Sequence, residues 1–241
     1  WNGSFPAISY TVTDGSGTND TSTFNISVAA VNDAPVISVG TGDSQTASIS
    51  ETNSTLTTSG TLTVTDPDTT DIVNTAFTLA VSGTSNRSDP NAPTDAELLS
   101  MLSLTANPIL SATEQSDTLT WTFNSNISSS KDTAFNYLRK GETLVLTYTI
   151  TATDDATPPL SGSNTVTITI TGTNDTPVIT GGADTASLTE TDTTLSTAGS
   201  ITVTDVDTTD TVSAAVSSVA LSGTFTTSGS TLPSSLSASS Y

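Results

Sequence analysis

The residues of this 241-residue chain that are best suited to chemistry are two short acidic motifs, and each motif occurs twice. One is an Asn-Asp pair and the other is an Asp-x-Asp turn that follows an alternating, strand-like run. Calcium takes about six to eight oxygen ligands and mixes carboxylates with carbonyls. Both motifs offer such oxygens, so they predict calcium sites, although Asp and Asn are also common turn residues without any metal. The motifs lie at Asn32 and Asp33, Asn174 and Asp175, Asp66 and Asp68, and Asp205 and Asp207.

The two sets of acids belong to an internal repeat. Residues 31–37 read Val-Asn-Asp-Ala-Pro-Val-Ile, and residues 173–179 read Thr-Asn-Asp-Thr-Pro-Val-Ile. A second match relates residues 51–71 to residues 190–210. Similarity at a fixed period indicates an array of like modules. We therefore predict a complete module at 32–173, the closing strands of a preceding module at 1–31, and the opening part of a following module at 174–241.

Composition narrows the possible partners. The chain has 24 acidic and 4 basic residues, a formal charge of −20, which argues against binding to nucleic acid or to an anionic membrane. It contains no Cys and no His, so thiol nucleophiles, imidazole bases and the usual zinc ligands are absent. No run of residues reaches membrane-spanning length. We predict that the chain is not an enzyme and that hard cations are its ligands.

The elements that must position these acids are strands. Short runs that alternate Thr with aliphatic or aromatic residues are separated by turn residues, and this pattern is typical of a β-sandwich. The runs cover 8–13, 24–28, 61–65, 77–81, 119–123, 144–153 and 165–171. Trp121 and Phe123 share one face of a strand, so they are predicted to fill the core. Residues 14–20 are predicted to form a hairpin turn, not an isolated calcium loop.

Two segments interrupt the strand pattern. Thr94 and Glu97 have the spacing of a capping box, in which each side chain satisfies a backbone amide at the start of a helix. This predicts a short helix over 95–103. A second helical turn is expected over 132–140, ended by Gly141.

The end of the complete module resembles a cadherin repeat. The resemblance rests on Ala152-x-Asp154, on the alternating strand that follows, and on the linker Asn174-Asp175-x-Pro177. That linker, together with Leu-Arg-Lys-Gly-Glu-Thr at 138–143, is also similar to the VCBS repeats of large bacterial surface adhesins. The resemblance covers residues 32–179 and most of both flanks. It implies an all-β fold of tandem cadherin-like, immunoglobulin-like Greek-key β-sandwich modules, with one or two short helices in the complete module.

The resemblance also implies which acids share a calcium joint. By comparison with cadherins, the joint before the complete module takes Asn32, Asp33, Asp66, Asp68 and Asp154. The joint after it takes Glu51, Glu142, Asn174, Asp175, Asp205 and Asp207. Glu142 is the loosest match to the cadherin pattern. The leading aspartate of the cadherin linker is replaced by Ala30 and Gly172, so we expect one metal site per joint to be missing or weaker.

These features together predict a structural extender of a long, secreted bacterial adhesin or biofilm protein at the cell surface. Its partners would be neighbouring repeats, with a host or neighbouring cell contacted through distal domains. Two alternatives stay open: a module that itself binds glycan or a cell, and a filament subunit whose neighbours complete each other's partial repeats. Exposed aromatic residues on one sheet would favour the binding module, and buried aromatic residues would favour the extender.

Overall fold

Strands account for nearly all the regular structure, as the alternation of Thr with aliphatic residues predicts. The computed structural model describes residues 3–4, 6–105, 107–181, 185–207 and 210–218, and these contain fourteen strands and one helix. The chain divides into two units, Trp1–Thr173 and Asn174–Tyr241. The elements are β1 Gly3–Ser4, β2 Ile8–Thr13, β3 Asn19–Phe24, β4 Ser27–Val28, β5 Val36–Ser38, β6 Thr46–Ser50, β7 Thr57–Thr65, β8 Asn74–Gly83, α1 Asp95–Ser100, β9 Leu102–Leu104, β10 Ser116–Asn124, β11 Thr143–Thr153, β12 Ser161–Thr171, β13 Val178–Thr180 and β14 Thr202–Thr204.

The first unit contains a β-sandwich of two four-stranded sheets. One sheet has the strand order β5-β7-β10-β9 and the other has the order β6-β12-β11-β8. All neighbouring strands are antiparallel except β6 and β12, which are parallel. The opening strand is divided into β5 in one sheet and β6 in the other. Apart from β6, the strand orders match the ABED and CFG sheets of the immunoglobulin fold. The predicted all-β, Greek-key sandwich is confirmed.

Alternation along the strands builds the core. In β11 and β12 the Thr side chains face outward, whereas the aliphatic and aromatic side chains between them are buried against the other sheet. Trp121 and Phe123 on β10 are fully buried, as predicted. The Trp121 indole N–H donates to the Ser44 carbonyl at 2.8 Å. A Cβ atom at Gly60 would lie 2.5 Å from the Trp121 ring, so this point of β7 requires glycine.

The predicted capping box is present at α1. The Glu97 amide donates to Thr94 Oγ1, and Glu97 Oε2 accepts from the Thr94 amide. The helix ends at Ser100 and not at Ser103, because residues 102–104 form β9 and pair with β10. In the described part of the chain, no helix has the length and apolar character needed to cross a membrane.

The predicted second helical turn over 132–140 is wrong. These residues form non-helical turns, and Phe135 has a φ of 68°, which is outside the right-handed helical region. Instead of capping a helix, the Asp132 carboxylate accepts from the Ala134 and Tyr137 amides, each at 3.0 Å. Burial of the Phe135 ring explains why these residues form turns instead of a helix, because the turn places that side chain in the core.

The residues before the sandwich form two small antiparallel pairs, β2 with β3 and β1 with β4. The β2–β3 connection begins at Asp14, whose carboxylate accepts from the Ser16 and Thr18 amides at 2.9 Å. These bonds, together with those from both hydroxyl groups, hold the pKa of Asp14 well below its usual range. The segment is therefore a hairpin turn, as predicted.

The second unit repeats the opening of the first. Strands β13 and β14 pair as β5 and β7 do: Val178 lies opposite Thr204, as Val36 lies opposite Thr65. One difference is informative. Residues 185–189 (Thr-Ala-Ser-Leu-Thr) match β6 (Thr-Ala-Ser-Ile-Ser), yet they form no strand. In the first unit β6 is hydrogen-bonded only to β12, and the described residues of the second unit contain no counterpart of β12.

Candidate metal centre

Three aspartates meet where two turns leave the sandwich. Asp66 follows the last residue of β7, Asp71 lies in the turn before β8, and Asp154 follows the last residue of β11. One carboxylate oxygen from each lies within 4.8 Å of the others. We call Asp66, Asp71 and Asp154 the joint cluster.

The joint cluster contains carboxylate oxygens that are buried and lack partners. Asp66 is 1% exposed and Asp154 is 4% exposed. The Oδ2 atoms of Asp66 and Asp71 are shielded from solvent, and neither accepts a hydrogen bond. An unpaired carboxylate oxygen removed from water is costly unless a cation or a proton compensates it.

Burial also shifts the titration of these groups. Burial is the largest cause that raises the pKa of Asp66, and the nearby carboxylates Asp68, Asp71 and Asp154 add to it, against a hydrogen bond from the Asp68 amide. Burial likewise raises the pKa of Asp71, together with Asp154, Asp68 and Asp155. The site therefore disfavours its own negative charge, which is the electrostatic condition that a bound cation relieves.

The linker that precedes β5 is attached to the same site. The Asn32 side-chain amide donates to Asp154 Oδ2 at 3.0 Å, and the Asp33 backbone amide donates to Asp68 Oδ2 at 2.7 Å. The Asp68 amide in turn donates to Asp66 Oδ1 at 2.9 Å. The structure thus brings together all five residues that the resemblance assigned to the first joint.

Asp71 was not assigned to a joint from the sequence. Its amide donates to the Asp68 carbonyl at 3.1 Å, which closes the turn and turns the Asp71 carboxylate toward Asp66 and Asp154. The signal was present in the repeat, since Asp-x-Asp-Thr-Thr-Asp occurs at both 66–71 and 205–210. The third aspartate of that motif is Asp71 in the first copy and Asp210 in the second.

The second unit has the same hydrogen bonds around its own acids. The Asp175 amide donates to Asp207 Oδ2 at 2.6 Å, and the Asp207 amide donates to Asp205 Oδ1 at 3.0 Å. The Asp210 amide donates to the Asp207 carbonyl at 2.8 Å. Asn174 differs from Asn32, because its side-chain amide donates to the Asp175 carbonyl at 2.8 Å. The linker and Asp-x-Asp arrangement is therefore a repeated local structure.

Two glutamates assigned to the second joint lie beside the end of β12. Glu51 is buried, and its Oε2 accepts from the Thr173 hydroxyl at 2.8 Å. Glu142 accepts at its carbonyl from the Gly172 amide at 2.9 Å, and its Oε2 accepts from the Arg139 amide at 3.2 Å. Both side chains thus adjoin the point at which the chain leaves the sandwich. Their assignment as metal ligands stays a prediction.

The oxygen ligands that the joint cluster offers are of the type that calcium prefers. They comprise three carboxylates, two of which have an unpartnered oxygen, with the Asn32 side-chain amide adjacent. Calcium accepts such oxygen sets in flexible geometry, whereas magnesium demands a near-ideal octahedron and releases water reluctantly. A bound cation would connect the turn before β8, the turn after β11 and the linker at residue 32.

Comparison with known proteins gives only remote likenesses. No family model and no curated protein matches the chain. One similar solved structure is the ASH/PapD-like domain of human CEP192, with 9% identity and a TM-score of 0.32, covering 61% of this chain and 96% of that one. Another is the CooA pilin subunit from enterotoxigenic Escherichia coli, with 12% identity and a TM-score of 0.35, covering 60% of this chain and 100% of that one. Neither likeness extends beyond the fold.

Proposed function

We propose that this chain is a structural extender segment of a long bacterial cell-surface adhesin or biofilm protein, and that calcium stiffens the joints between its β-sandwich repeats. The observation that carries the proposal is the pair of buried, unpartnered oxygens on Asp66 and Asp71, beside Asp154. The cadherin-like and VCBS-like linker motifs in the sequence also support this proposal. An extracellular location follows from the proposal, because the calcium concentration there is high enough to fill sites with the millimolar dissociation constants of extracellular modules.

The arrangement gives calcium a mechanical role. Without a cation, a linker of a few residues is held by single hydrogen bonds from Asn32 and Asp33, while the joint cluster accumulates repelling charge. With a cation bound, attraction replaces repulsion and both turns are tied to the linker. The joint then loses hinge freedom, and a series of such joints holds a distal domain away from the cell.

The alternative of a glycan-binding module has less support. In the complete sandwich five of the six aromatic side chains are buried, and the sixth, Phe77, is half-buried with its ring edge-to-face against Tyr148, so no row of exposed rings offers the stacking platform that a sugar site uses. The buried aromatic residues include Trp121, Phe123, Phe135, Tyr137 and Tyr148. The core positions of these rings support a structural role for the module.

Calorimetric titration with calcium tests the proposal. We expect Asp66→Asn and Asp71→Asn to weaken binding at one site by at least the roughly 10–100-fold that loss of an outer-shell partner costs. Asp89→Asn is the matched control, since it removes one charge from the loop beyond the far end of β8. Small-angle scattering should show a larger maximum dimension in calcium than in sodium at matched ionic strength. Identical isotherms for all four proteins would exclude a calcium site at the joint cluster.

A further inference from the structure

The edge strands of the complete sandwich differ in length and in protection. Three are short, with three residues in β5, three in β9 and five in β6, whereas β8 has ten. Proteins protect exposed sheet edges by keeping them short or by placing charged residues, proline or a bulge there. β8 contains no charged residue and no proline, and it pairs with β11 over its whole length without a bulge. It is therefore a sheet edge that can pair with another strand.

One end of this edge is already paired, by a side chain. The Thr75 amide donates to Asn107 Oδ1, and Asn107 Nδ2 donates to the Thr75 carbonyl, each at 2.8 Å. The Asn107 side chain thus binds Thr75 as a residue of a neighbouring strand would. Successive residues of a strand direct their backbone groups to opposite sides, and those of Thr75 point away from β11. The backbone groups of Phe77, Leu79 and Val81 point to the same side.

The next stretch of the edge, residues 77–81, is unpaired. In the described part of the chain no strand lies beside β8 on this side, and no backbone or side-chain group bonds the outward amides and carbonyls of Phe77, Leu79 and Val81. The side chains of these three residues face the core, yet they are only half-buried because no neighbouring strand covers the edge. We call residues 77–81 the free edge of β8.

The free edge has a defined middle residue. At one end it stops where the Asn107 side chain occupies the strand. At the other end the Thr84 amide donates to the Thr143 carbonyl at 2.8 Å, so the chain bends toward β11 and away from the edge. Leu79 lies midway between these limits, and a strand that pairs with the whole free edge must therefore be centred on Leu79.

A cavity of about 370 Å³ adjoins one end of the free edge. Its lining includes the apolar side chains of Phe77 on β8, Leu99 on α1 and Leu104 on β9. Side chains that lie opposite each other in an antiparallel pair are on the same face of the sheet. A residue opposite Phe77 on an added strand would therefore lie beside this cavity, which favours an aliphatic residue at that position.

We propose that the free edge of β8 pairs with the free edge of a second copy of this chain. The two strands run antiparallel about a two-fold axis at Leu79, and the two four-stranded sheets join into one. Phe77 of each copy then lies opposite Val81 of the other, which supplies the aliphatic side chain beside the cavity. On the outer face Thr78 lies opposite Ala80, so large residues meet small ones on both faces.

The absence of charge on β8 favours a second copy as the occupant. At a formal charge of −20, two copies repel each other wherever their acids face. Pairing through β8 sets no charged residue of the strand against another, and salt at about 0.15 M screens charges beyond roughly 8 Å. The contact uses the same surface on both copies, so it closes at a dimer. Because only five residues of each strand pair, the association is weak and reversible.

Hydrogen exchange of the full chain, followed by NMR, tests the pairing at the backbone. At low concentration the amides of Thr78 and Ala80, which face β11, should exchange slowly, and those of Phe77, Leu79 and Val81 should exchange faster. At about millimolar concentration exchange of these three amides should slow about tenfold or more. Unchanged exchange of the three amides over this range would overturn the proposal, even if the chain associates through another surface.

Sedimentation of two double variants tests the register. Thr78 and Ala80 are exposed, so Thr78→Lys with Ala80→Lys, and Thr78→Glu with Ala80→Glu, should keep the native melting temperature. Each variant sets like charges opposite each other and should dimerise about tenfold more weakly than the native chain. A mixture of the two sets opposite charges together and should dimerise at least as tightly as the native chain.

The matched control is Ser48→Lys with Ser50→Lys, which adds the same charge to exposed positions on β6, the other edge of the same sheet. It should dimerise like the native chain. Both measurements are made in chelator, so their outcome does not depend on the calcium sites of the proposed function. A native chain that stays monomeric up to millimolar concentration, double variants that dimerise as the native chain does, or a mixture no tighter than its components would overturn the proposal.

Discussion

Replacement of Asp66 by Asn should change stability in opposite directions with and without calcium. The substitution keeps an acceptor for the Asp68 amide, which donates to Asp66 Oδ1 at 2.9 Å, so the turn is preserved. It removes one buried charge from a cluster in which the neighbouring carboxylates Asp71 and Asp154 repel it. In chelator the variant should therefore melt at the same temperature as the native chain or higher.

In calcium the same variant should melt lower. A ligand at a hundredfold excess over its Kd stabilises the folded state by about 2.7 kcal/mol. If the substitution weakens binding by roughly 10–100-fold, that stabilisation falls to about 0.4–1.4 kcal/mol. At about 2–4 °C per kcal/mol for a domain of this size, the melting temperature should drop by roughly 3–9 °C.

Differential scanning calorimetry of both proteins, with and without calcium, measures this reversal. Asp89→Asn changes the net charge by the same amount as Asp66→Asn, but it lies outside the joint cluster. It should therefore melt like the native chain under both conditions. A drop of the same size in calcium and in chelator would refute the reasoning, since it would show that Asp66 acts only through the structure of the turn.

Three further predictions concern pH and packing. In chelator, Asp66 and Asp71 should add stability as the pH falls toward the ordinary aspartate value of 3.8 and lose it as the pH climbs through their raised pKa values, because the folded state binds these protons more tightly. The lowered pKa values of Asp43, Glu97 and Glu114 act in the opposite direction, so the quantity to measure is the difference between thermal melts of the native chain and of Asp66→Asn. In calcium, where protons compete with the cation, that difference should show the opposite trend. Gly60→Ala should cost about 1–3 kcal/mol in denaturant unfolding, since its Cβ overlaps the Trp121 ring, whereas Gly15→Ala in open space should stay within about 0.5 kcal/mol. Tyr148→Phe should cost about 1 kcal/mol in the same assay by removing the 2.7 Å bond to the Leu98 carbonyl, and an unchanged midpoint would show that the bond adds nothing.

The fold was predictable because two independent patterns agree. Alternation of Thr with aliphatic residues indicates which residues face the core, and the internal repeat shows which segments are equivalent. The repeat also located the linker and the Asp-x-Asp turn, and the structure brings Asn32, Asp33 and Asp68 to the joint cluster through hydrogen bonds. Local sequence is sufficient here, because each of these residues lies within four positions of a strand end.

Features that depend on distant contacts were less predictable. The strand β6 exists through pairing with β12, so residues 185–189 have a matching sequence without forming a strand. The segment 132–140 has helical spacing, but burial of Phe135 selects a turn. Asp71 is recognised as part of the candidate metal centre only when the fold brings it beside Asp154, which is 83 positions later in the sequence.

A crystal structure grown in calcium, with anomalous scattering measured from the metal, tests the central claim most directly. The account predicts an anomalous peak between Asp66, Asp71 and Asp154, at about 2.3–2.6 Å from their carboxylate oxygens. In crystals of the same form, the variant Asp66→Asn should reduce or abolish that peak. Calcium bound elsewhere on the chain, with no peak at the joint cluster, would contradict the account.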